Sequence, residues 1–302
     1  MNARPKIVVV LKKTVFQTFV VEKNDAHLRK LLRKNDESVA RMERAHEDHE
    51  ETTEDVLDTI RELGARVTVV RGAHTNWRAT PDLVVTVGGD GTLLATSHRI
   101  SHRVPLLGIN SAPNYSVGFF CGGTKATART TLVRALEGKL AATELTRMSV
   151  LLNGKKIHDR VLNEALLCHA SPAATSRYIL RKLPLSRGFV EEQRSSGLFV
   201  GPAAGSTAAQ RSAGGKILPI RSHSLQFVVR EPYPASANKY VRGLIKPEES
   251  LRIASKMPDA RLFLDGHAIV FKIAIGDVVQ LKRSDDPLTV LGLARAARKQ
   301  AG

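Results

Sequence analysis

Val84-Val85-Thr86-Val87-Gly88-Gly89-Asp90-Gly91-Thr92-Leu93-Leu94 is a short apolar, β-branched run that stops at a glycine-rich turn and continues into Ala95-Thr96 as the first turns of a helix. Three glycines leave backbone N–H groups open at a helix N-terminus, which makes a ready site for an anion. Asp90 stands in the middle of it, where a carboxylate repels bound phosphate, so this acid reads as a group that does chemistry rather than one that binds phosphate. Taken alone, the same residues also suit a tight Gly-Asp-Gly turn with a capping side chain.

The stretch sits in an alternation of strands and helices. Ile7–Leu11, Arg66–Val70, Leu83–Val87 and Pro105–Asn110 read as strands, with a long helical region over Asn24–Leu63 between the first two. Continuous apolar strands separated by helices predict a parallel, Rossmann-like sheet covered on both faces. Ligands bind such sheets at the carboxyl ends of the strands, where Gly88–Thr92 and Asn110 both fall. The helical region carries one apolar stripe at Leu28, Leu31, Leu32, Val39 and Met42, a second at Val56, Ile60 and Leu63, and a stop at Gly64. Between the stripes, Arg44-Ala45-His46-Glu47-Asp48-His49-Glu50-Glu51 sets two histidines among carboxylates. The spacing is not that of a metalloprotease helix and the segment lacks an apolar face, so it predicts a solvated helix face. His98 and His102 receive the same reading, and no metal-ligand set is expected.

From about Thr127 the texture changes to short alternating runs: Ser149–Leu152, Leu225–Val229, Arg261–Leu264 and Ala268–Ile275, with hairpin signals at Asn153-Gly154 and Asp265-Gly266. The expected organisation is an α/β domain over 1–125, joined by the C-terminal tail 286–302, and an all-β, sandwich-like domain over 126–285. Leu288–Arg298 reads as strand or turn followed by a basic helical tail. Cys121 and Cys168 give neither a disulfide framework nor a metal spacing and read as small core residues.

No run approaches the roughly 18 apolar residues of a membrane helix, so a membrane partner is not expected. Met1-Asn2-Ala3-Arg4-Pro5-Lys6 leads straight into the first strand without room for a targeting segment, which predicts a cytoplasmic protein. The net charge of +17 is uneven: residues 22–62 hold 8 basic and 13 acidic side chains, so the excess lies elsewhere and favours anionic partners. Aromatic residues make up only 5% and do not alternate with basic ones, which speaks against nucleic acid.

Two further constellations lie in the β region. In Val161-Leu162-Asn163-Glu164-Ala165-Leu166-Leu167 an amide and a carboxylate interrupt an apolar strand, where neither belongs without a partner. The pair suits hydroxyl recognition, since a carboxylate accepts two hydrogen bonds from a ribose diol; an edge strand with its polar residues in water is the alternative. The run from Ser196 to Gly215, with Gly205-Ser206-Thr207-Ala208 at its centre and Ser212-Ala213-Gly214-Gly215 at its end, is dominated by small residues. A ligand can approach its backbone closely, and Ser206, Thr207 and Ser212 supply hydroxyls. The apolar Leu198-Phe199-Val200 lead-in argues against a flexible linker.

Gly88-Gly89-Asp90-Gly91-Thr92, the later Asn163-Glu164, and Gly205-Ser206-Thr207-Ala208 closing on Ser-Ala-Gly-Gly occur here in an order that resembles the NAD kinase family. Gly108-Ile109-Asn110, Gly118-Phe119 and Asp265-Gly266 match further segments of its pattern, so the resemblance covers roughly residues 80–290. It implies an N-terminal α/β domain and a C-terminal β-sandwich-like domain with the site between them, in a homodimer or homotetramer. It implies phosphorylation of the 2′-hydroxyl of NAD or NADH by ATP or polyphosphate with Mg²⁺. By position, Asp90 is then the base for the 2′-hydroxyl proton, and Gly88, Gly89, Gly91 and Thr92 shape the phosphate pocket. Asn163 and Glu164 hold ribose hydroxyls or the adenine side. Asn110, Phe119, Ser206, Thr207, Ala208 and Ser212 belong to the dinucleotide pocket. Arg177, Arg181, Lys182, Arg187 and Arg194 cluster before the small-residue run and could neutralise phosphates, or form a solvated basic loop.

The chain departs from the pattern at Ser196, where the family usually has an Asp, and at Ala209, where it usually has a Tyr; the Ser196 substitution and the long charged N-terminal helix are more like the divergent, mitochondrial-type branch. Two other readings stay open. Lipid kinases share the glycine motif, but there Asn-Glu follows almost at once, whereas Asn163 stands far downstream of Thr92. A nucleotide-binding protein with a silent base could use the same fold.

Overall fold

The computed structural model describes residues 4–73, 75–78, 80–233 and 239–293, and divides into two compact units. One is Met1–Thr143 with Thr289–Gly302, the other Glu144–Leu288.

The first unit is built on a sheet of β1 (Lys6–Leu11), β2 (Arg66–Arg71), β3 (Leu83–Gly88), β4 (Leu106–Asn110), the two-residue β5 (Gly123–Thr124), β6 (Ala142–Leu145) and the returning C-terminal strand Leu288–Leu291. β1 pairs with both β2 and β3, and β4 with β3, all parallel, giving the order β2-β1-β3-β4. Every residue of β3 and β4 is buried, as is β1 after Lys6, which is why these strands read as unbroken apolar runs. β2, at the sheet edge, is mostly exposed. Ile7, Val9, Leu11, Val85, Val87 and Ile109 pack with Val56, Ile60 and Leu132 in one core.

The expected helical region is two helices, α1 (Ala26–Arg33) and α2 (Met42–Glu62), preceded by a π-helical turn at Phe16–Glu22. α2 ends at Gly64, whose φ of +72° is the left-handed stop glycine permits. The solvated face expected around Arg44–Glu51 is corrected at His49, which is 1% exposed with Nδ1 3.0 Å from Ser111 Oγ. Burial lowers this imidazole to about 4, so it is neutral at pH 7. His46 stacks on Phe16. The helical stripe was judged from apolar residues alone, and a neutral histidine packs as one of them. α3 (Asp90–Ser97) and α4 (Ala128–Leu136) complete this unit.

The second unit is two antiparallel six-stranded sheets. Its strands are β7 (Met148–Leu152), β8 (Lys155–Val161), β9 (Ala165–His169), β10 (Ser176–Leu183), β11 (Phe189–Ser195), β12 (Gly197–Pro202), β13 (Leu225–Arg230), β14 (Arg242–Ile245), β15 (Ser250–Ser255), β16 (Ala260–Leu264), β17 (Ile269–Ile273) and β18 (Val278–Arg283). The orders are β11-β10-β15-β18-β7-β8 and β14-β13-β12-β9-β16-β17. Val150, Leu180, Ile253 and Leu281 of the first sheet share a core with Leu167, Val200, Phe227 and Leu262 of the second, so the unit is a sandwich. Both expected hairpins are present: Asn153 and Asp265 take positive φ, each followed by a positive-φ glycine. The short helix α5 (Ala209–Ser212) follows β12. Leu288–Leu291, β19, is the strand expected at the C-terminal end; the expected helical tail lies outside the described residues from 294 onward. No helix among the described residues is long and apolar enough to cross a membrane.

Candidate active site

In the first unit the chain moves to one side of β1 for β2 and to the other for β3, so the strand order reverses at the carboxyl ends of β1 and β3. A parallel sheet opens a crevice at such a point. Here it is a cleft of about 720 Å³ lined by Lys12, Lys13, Arg71, Gly89, Asp90, Gly91, Thr92 and Ser116 among others. Among the described residues, Asp90 is the only carboxylate in that lining.

Local packing fixes the glycine motif. Gly88 has a φ of +155°, and a Cβ there would lie 2.5 Å from Thr92 Oγ1 and 2.9 Å from Lys12 Cβ. Gly89 is the N-cap of α3 and would meet Ser116 Oγ at 3.2 Å. Gly91, by contrast, would meet nothing within 4 Å, so its bare backbone borders open space. Asp90 opens α3, and its two carboxylate oxygens accept from the backbone N–H groups of Phe119 and Phe120, both at 2.8 Å. Those bonds fix the carboxylate while leaving acceptor capacity on each oxygen.

Asn110 is buried at the end of β4, and its amide is used inside the protein: Oδ1 accepts from Ser116 Oγ at 2.7 Å and Nδ2 donates to Ser116 O at 3.0 Å. Gly118 has to be glycine beside it, with a φ of +64° and a would-be Cβ 2.9 Å from Asn110 Cγ. Asn110 therefore organises the 111–118 loop that carries Phe119 to Asp90. Phe119 is half-buried, edge-on to Phe120.

In the second unit Asn163 and Glu164 do not interrupt a strand. β8 stops at Val161 and β9 starts at Ala165, so the pair occupies the connection. The apolar residues on either side belong to two strands, which the sequence pattern cannot separate. The connection is held by Asp265, whose Oδ1 accepts from the N–H groups of Asn163 (2.7 Å) and Glu164 (3.0 Å) and whose Oδ2 accepts from Leu162 N–H (2.7 Å). Gly201 and Gly205 press against the same segment, and a Cβ on either would overlap the Asn163 carbonyl oxygen. That oxygen accepts from Gln210 Nε2 at 3.1 Å, and Gln226 Nε2 donates to Gln210 Oε1 at 3.3 Å. Asn163 Oδ1 and Glu164 Oε2 are buried with no hydrogen-bond partner among the described residues.

Ser206 is fully buried, donating its hydroxyl to Ala203 O at 2.7 Å and accepting from Leu218 N–H at 3.0 Å, so this hydroxyl shapes the loop and is not presented outward. Thr207 and Ala208 are half-buried at the start of α5, and Ser212 is exposed at its end. The basic cluster divides: Lys182 is paired with Glu249 at 2.8 Å, while Arg177, Arg181 and Arg194 lie exposed on β10 and β11. Among the described residues no group of three or more His, Cys, Asp or Glu could hold a metal ion.

Sequence reasoning missed Lys12, Lys13 and Arg71, because their role depends on strand order. It also missed Gln210 and Gln226; a glutamine inside the apolar strand Leu225–Val229 was the available signal.

Two predictions arise here. Gly205→Ala should prevent the second unit from reaching its native packing, because the methyl group meets a backbone carbonyl that cannot give; loss of the cooperative thermal transition or of soluble protein would show it. The second concerns pH. Burial, with the neighbouring Asp265 charge, pushes Glu164 up to about 7, and burial pushes Asp265 up to about 6 against its three N–H donors. Raised carboxyl values mean stability that is full below the unfolded values and is lost as pH rises through about 6 to 7. Glu164→Gln should therefore gain in melting temperature over the parent between about pH 5 and about pH 8.

Comparison with known proteins places these motifs in a wider set. The family model for the ATP-NAD kinase N-terminal domain matches residues 3–140. A probable NADH kinase from Oryza sativa subsp. japonica is 36% identical over 253 residues, 78% of this chain and 78% of that protein. The NADH kinase of Arabidopsis thaliana is 35% identical over 68% of this chain and 71% of its own length. An NAD kinase from Methanocorpusculum labreanum is 30% identical, over 71% and 75% respectively. In fold, the chain is similar to the crystal structure of an NAD kinase from Archaeoglobus fulgidus in complex with ATP, with a TM-score of 0.68 and 18% identity, covering 97% of this chain and 96% of that one.

Proposed function

The chain belongs to the NAD kinase family, and from that premise we propose that it transfers the terminal phosphoryl group of ATP, or of polyphosphate, to the 2′-hydroxyl of the adenosine ribose of NAD or NADH, giving NADP(H). The observation that carries this reading is Asp90, the single carboxylate among the described residues lining the cleft, fixed by two backbone N–H groups beside Lys12, Lys13, Arg71, glycine backbone and hydroxyls.

Phosphoryl transfer asks little covalent chemistry of a protein; it asks for position, neutralised charge and a base beside the attacking oxygen. Asp90 is that base, its carboxylate held by two backbone N–H groups with lone pairs left for the 2′-hydroxyl proton. Gly89, Gly91 and Thr92 offer close backbone approach and a helix N-terminus to phosphate, and Gly88 allows the turn. Asn163 and Glu164, whose buried oxygens lack partners among the described residues, take hydroxyl or amino donors of the adenosine. Thr207, Ala208 and Ser212 of the second unit are further candidates for NAD binding, as is Phe119 of the first. A Mg²⁺ ion would enter with the donor, held by its phosphate oxygens and water, and would neutralise their charge; the one carboxylate among the described residues of the cleft lining, Asp90, is kept for the proton. We place the enzyme in the cytoplasm as a homodimer or homotetramer.

The test is NADP(H) formation by the purified protein, read with an NADP-specific dehydrogenase, for NAD and NADH against ATP and polyphosphate. Product from any pair supports the kinase. No product from all four, with ATP still bound, would replace it by a silent nucleotide-binding protein.

A further inference from the structure

The cleft holds three cations that no part of the glycine motif requires. Lys12 and Lys13 continue β1, and the Lys12 N–H donates to Val87 O at 2.9 Å, tying the end of β1 to that of β3. Arg71 ends β2 in register with Leu11, and Gly72 N–H donates to Leu11 O at 2.9 Å. Lys12, Lys13 and Arg71 thus project from the ends of two adjacent strands beside the Gly89–Thr92 turn, and all three line the same cleft as Asp90. Three positive groups against one carboxylate fit a multiply charged anion of linked phosphates better than a single carboxylate or a neutral ligand.

Lys13 is also engaged elsewhere. Its Nζ lies 2.5 Å from Glu22 Oε2, both side chains being nearly half-exposed, and the pairing holds the carboxyl of Glu22 below the ordinary range. Glu22 is not in the cleft lining; it is brought back to Lys13 by the π-helical turn Phe16–Glu22. That turn is built with care. Thr14 Oγ1 accepts from Gln17 N–H at 3.0 Å, Thr14 O accepts from Thr18 N–H at 3.0 Å, and Thr14 Oγ1 lies 3.1 Å from His46 Nδ1. An exposed ion pair adds little to folding, and single π-turns recur at functional sites, so stability is a poor reason for this construction.

We propose that Lys13, together with Lys12 and Arg71, clamps the linked phosphates of the donor, and that Glu22 competes with those phosphates for Lys13 and so sets donor affinity. The inference rests on the kinase reading above. Glu22 is a tuning counter-ion that touches neither reacting atom; the donor has to displace it from Lys13.

The experiment measures KM and kcat for ATP and for polyphosphate, and ATP dissociation constants by calorimetry, for Glu22→Gln, Lys13→Met, Arg71→Met and the double variant E22Q/K13M. Glu22→Gln should tighten ATP by about two- to fivefold, the scale of an exposed ion pair, with kcat unchanged. Lys13→Met and Arg71→Met should each weaken ATP by roughly tenfold or more, as expected when a charge-assisted contact is removed. In the double variant the gain from Glu22→Gln should vanish, because Lys13 is what it frees. A parallel weakening of polyphosphate assigns the clamp to any linked phosphates; weakening of ATP alone assigns it to the nucleotide. An unchanged or weaker ATP affinity in Glu22→Gln, or Lys13→Met indistinguishable from the parent, overturns the proposal. If the parent makes no product, the kinase reading fails, while the calorimetric series still decides whether the clamp exists.

Discussion

Asp90→Asn is expected to lower kcat by roughly 10²–10⁴-fold, the range that a positioned general base contributes. The variant keeps the size of the side chain and loses its basicity, so the loss falls on the proton transfer from the 2′-hydroxyl. Because it also removes the one negative charge lining a cleft of cations, KM for ATP should stay level or fall. A structural cost accompanies the change. Both carboxylate oxygens accept backbone N–H groups, from Phe119 and Phe120, and an amide can accept only one of them while its NH₂ confronts the other. Leaving one donor unsatisfied costs about 1–3 kcal/mol, so the melting temperature drops modestly. A modest stability loss with a large kcat loss and no weakening of ATP is the signature of a base. A parallel collapse of all three would mean that Asp90 only holds the Phe119–Phe120 turn.

The second large effect is expected at Asp265, far from Asp90 in sequence and in a different unit. Its carboxylate gathers three backbone N–H groups, from Leu162, Asn163 and Glu164, and hydrogen bonds to a charged group contribute about 1.5–3 kcal/mol each. Asp265→Asn can retain the pair on Oδ1 but sets its NH₂ against Leu162 N–H. A destabilisation of about 2–4 kcal/mol follows from one lost charge-assisted bond and one orphaned donor. Asp265→Ala strands three donors and should be worse. Both variants should raise KM for NAD or NADH more than they lower kcat, since the 162–164 connection that they release carries Asn163 and Glu164, not the base. Denaturant melts and steady-state kinetics on the two variants test this; equal losses in KM for NAD and for ATP would contradict it.

Much of this was legible in the sequence because the first-unit strands are unbroken apolar runs and its glycine motif marks a strand-to-helix turn. The two hairpins could be placed from Asn153-Gly154 and Asp265-Gly266 alone, since their conformation demands residues that tolerate positive φ. What could not be read has a common cause. Strand order is not encoded in any one strand, so Lys12, Lys13 and Arg71 look like surface charges until β1, β2 and β3 are laid side by side. His49 looks solvated among carboxylates, yet burial against Ser111 keeps it neutral. Asn110 and Ser206 are expected in the dinucleotide pocket from their motifs, and the sequence does not reveal that their side chains also bond to loop backbone and, for Asn110, to the Ser116 hydroxyl. Asp265 was read as a turn residue, and its side chain does a second job that only the fold reveals.

The most direct measurement is the phosphorus NMR spectrum of the product formed from NADH or NAD and ATP by the purified protein. The account predicts a new phosphomonoester resonance from phosphate on the 2′ oxygen of the adenosine ribose, formed in step with ADP, and its disappearance with Asp90→Asn. Release of inorganic phosphate without that resonance, or a phosphomonoester formed equally well by Asp90→Asn, would contradict it.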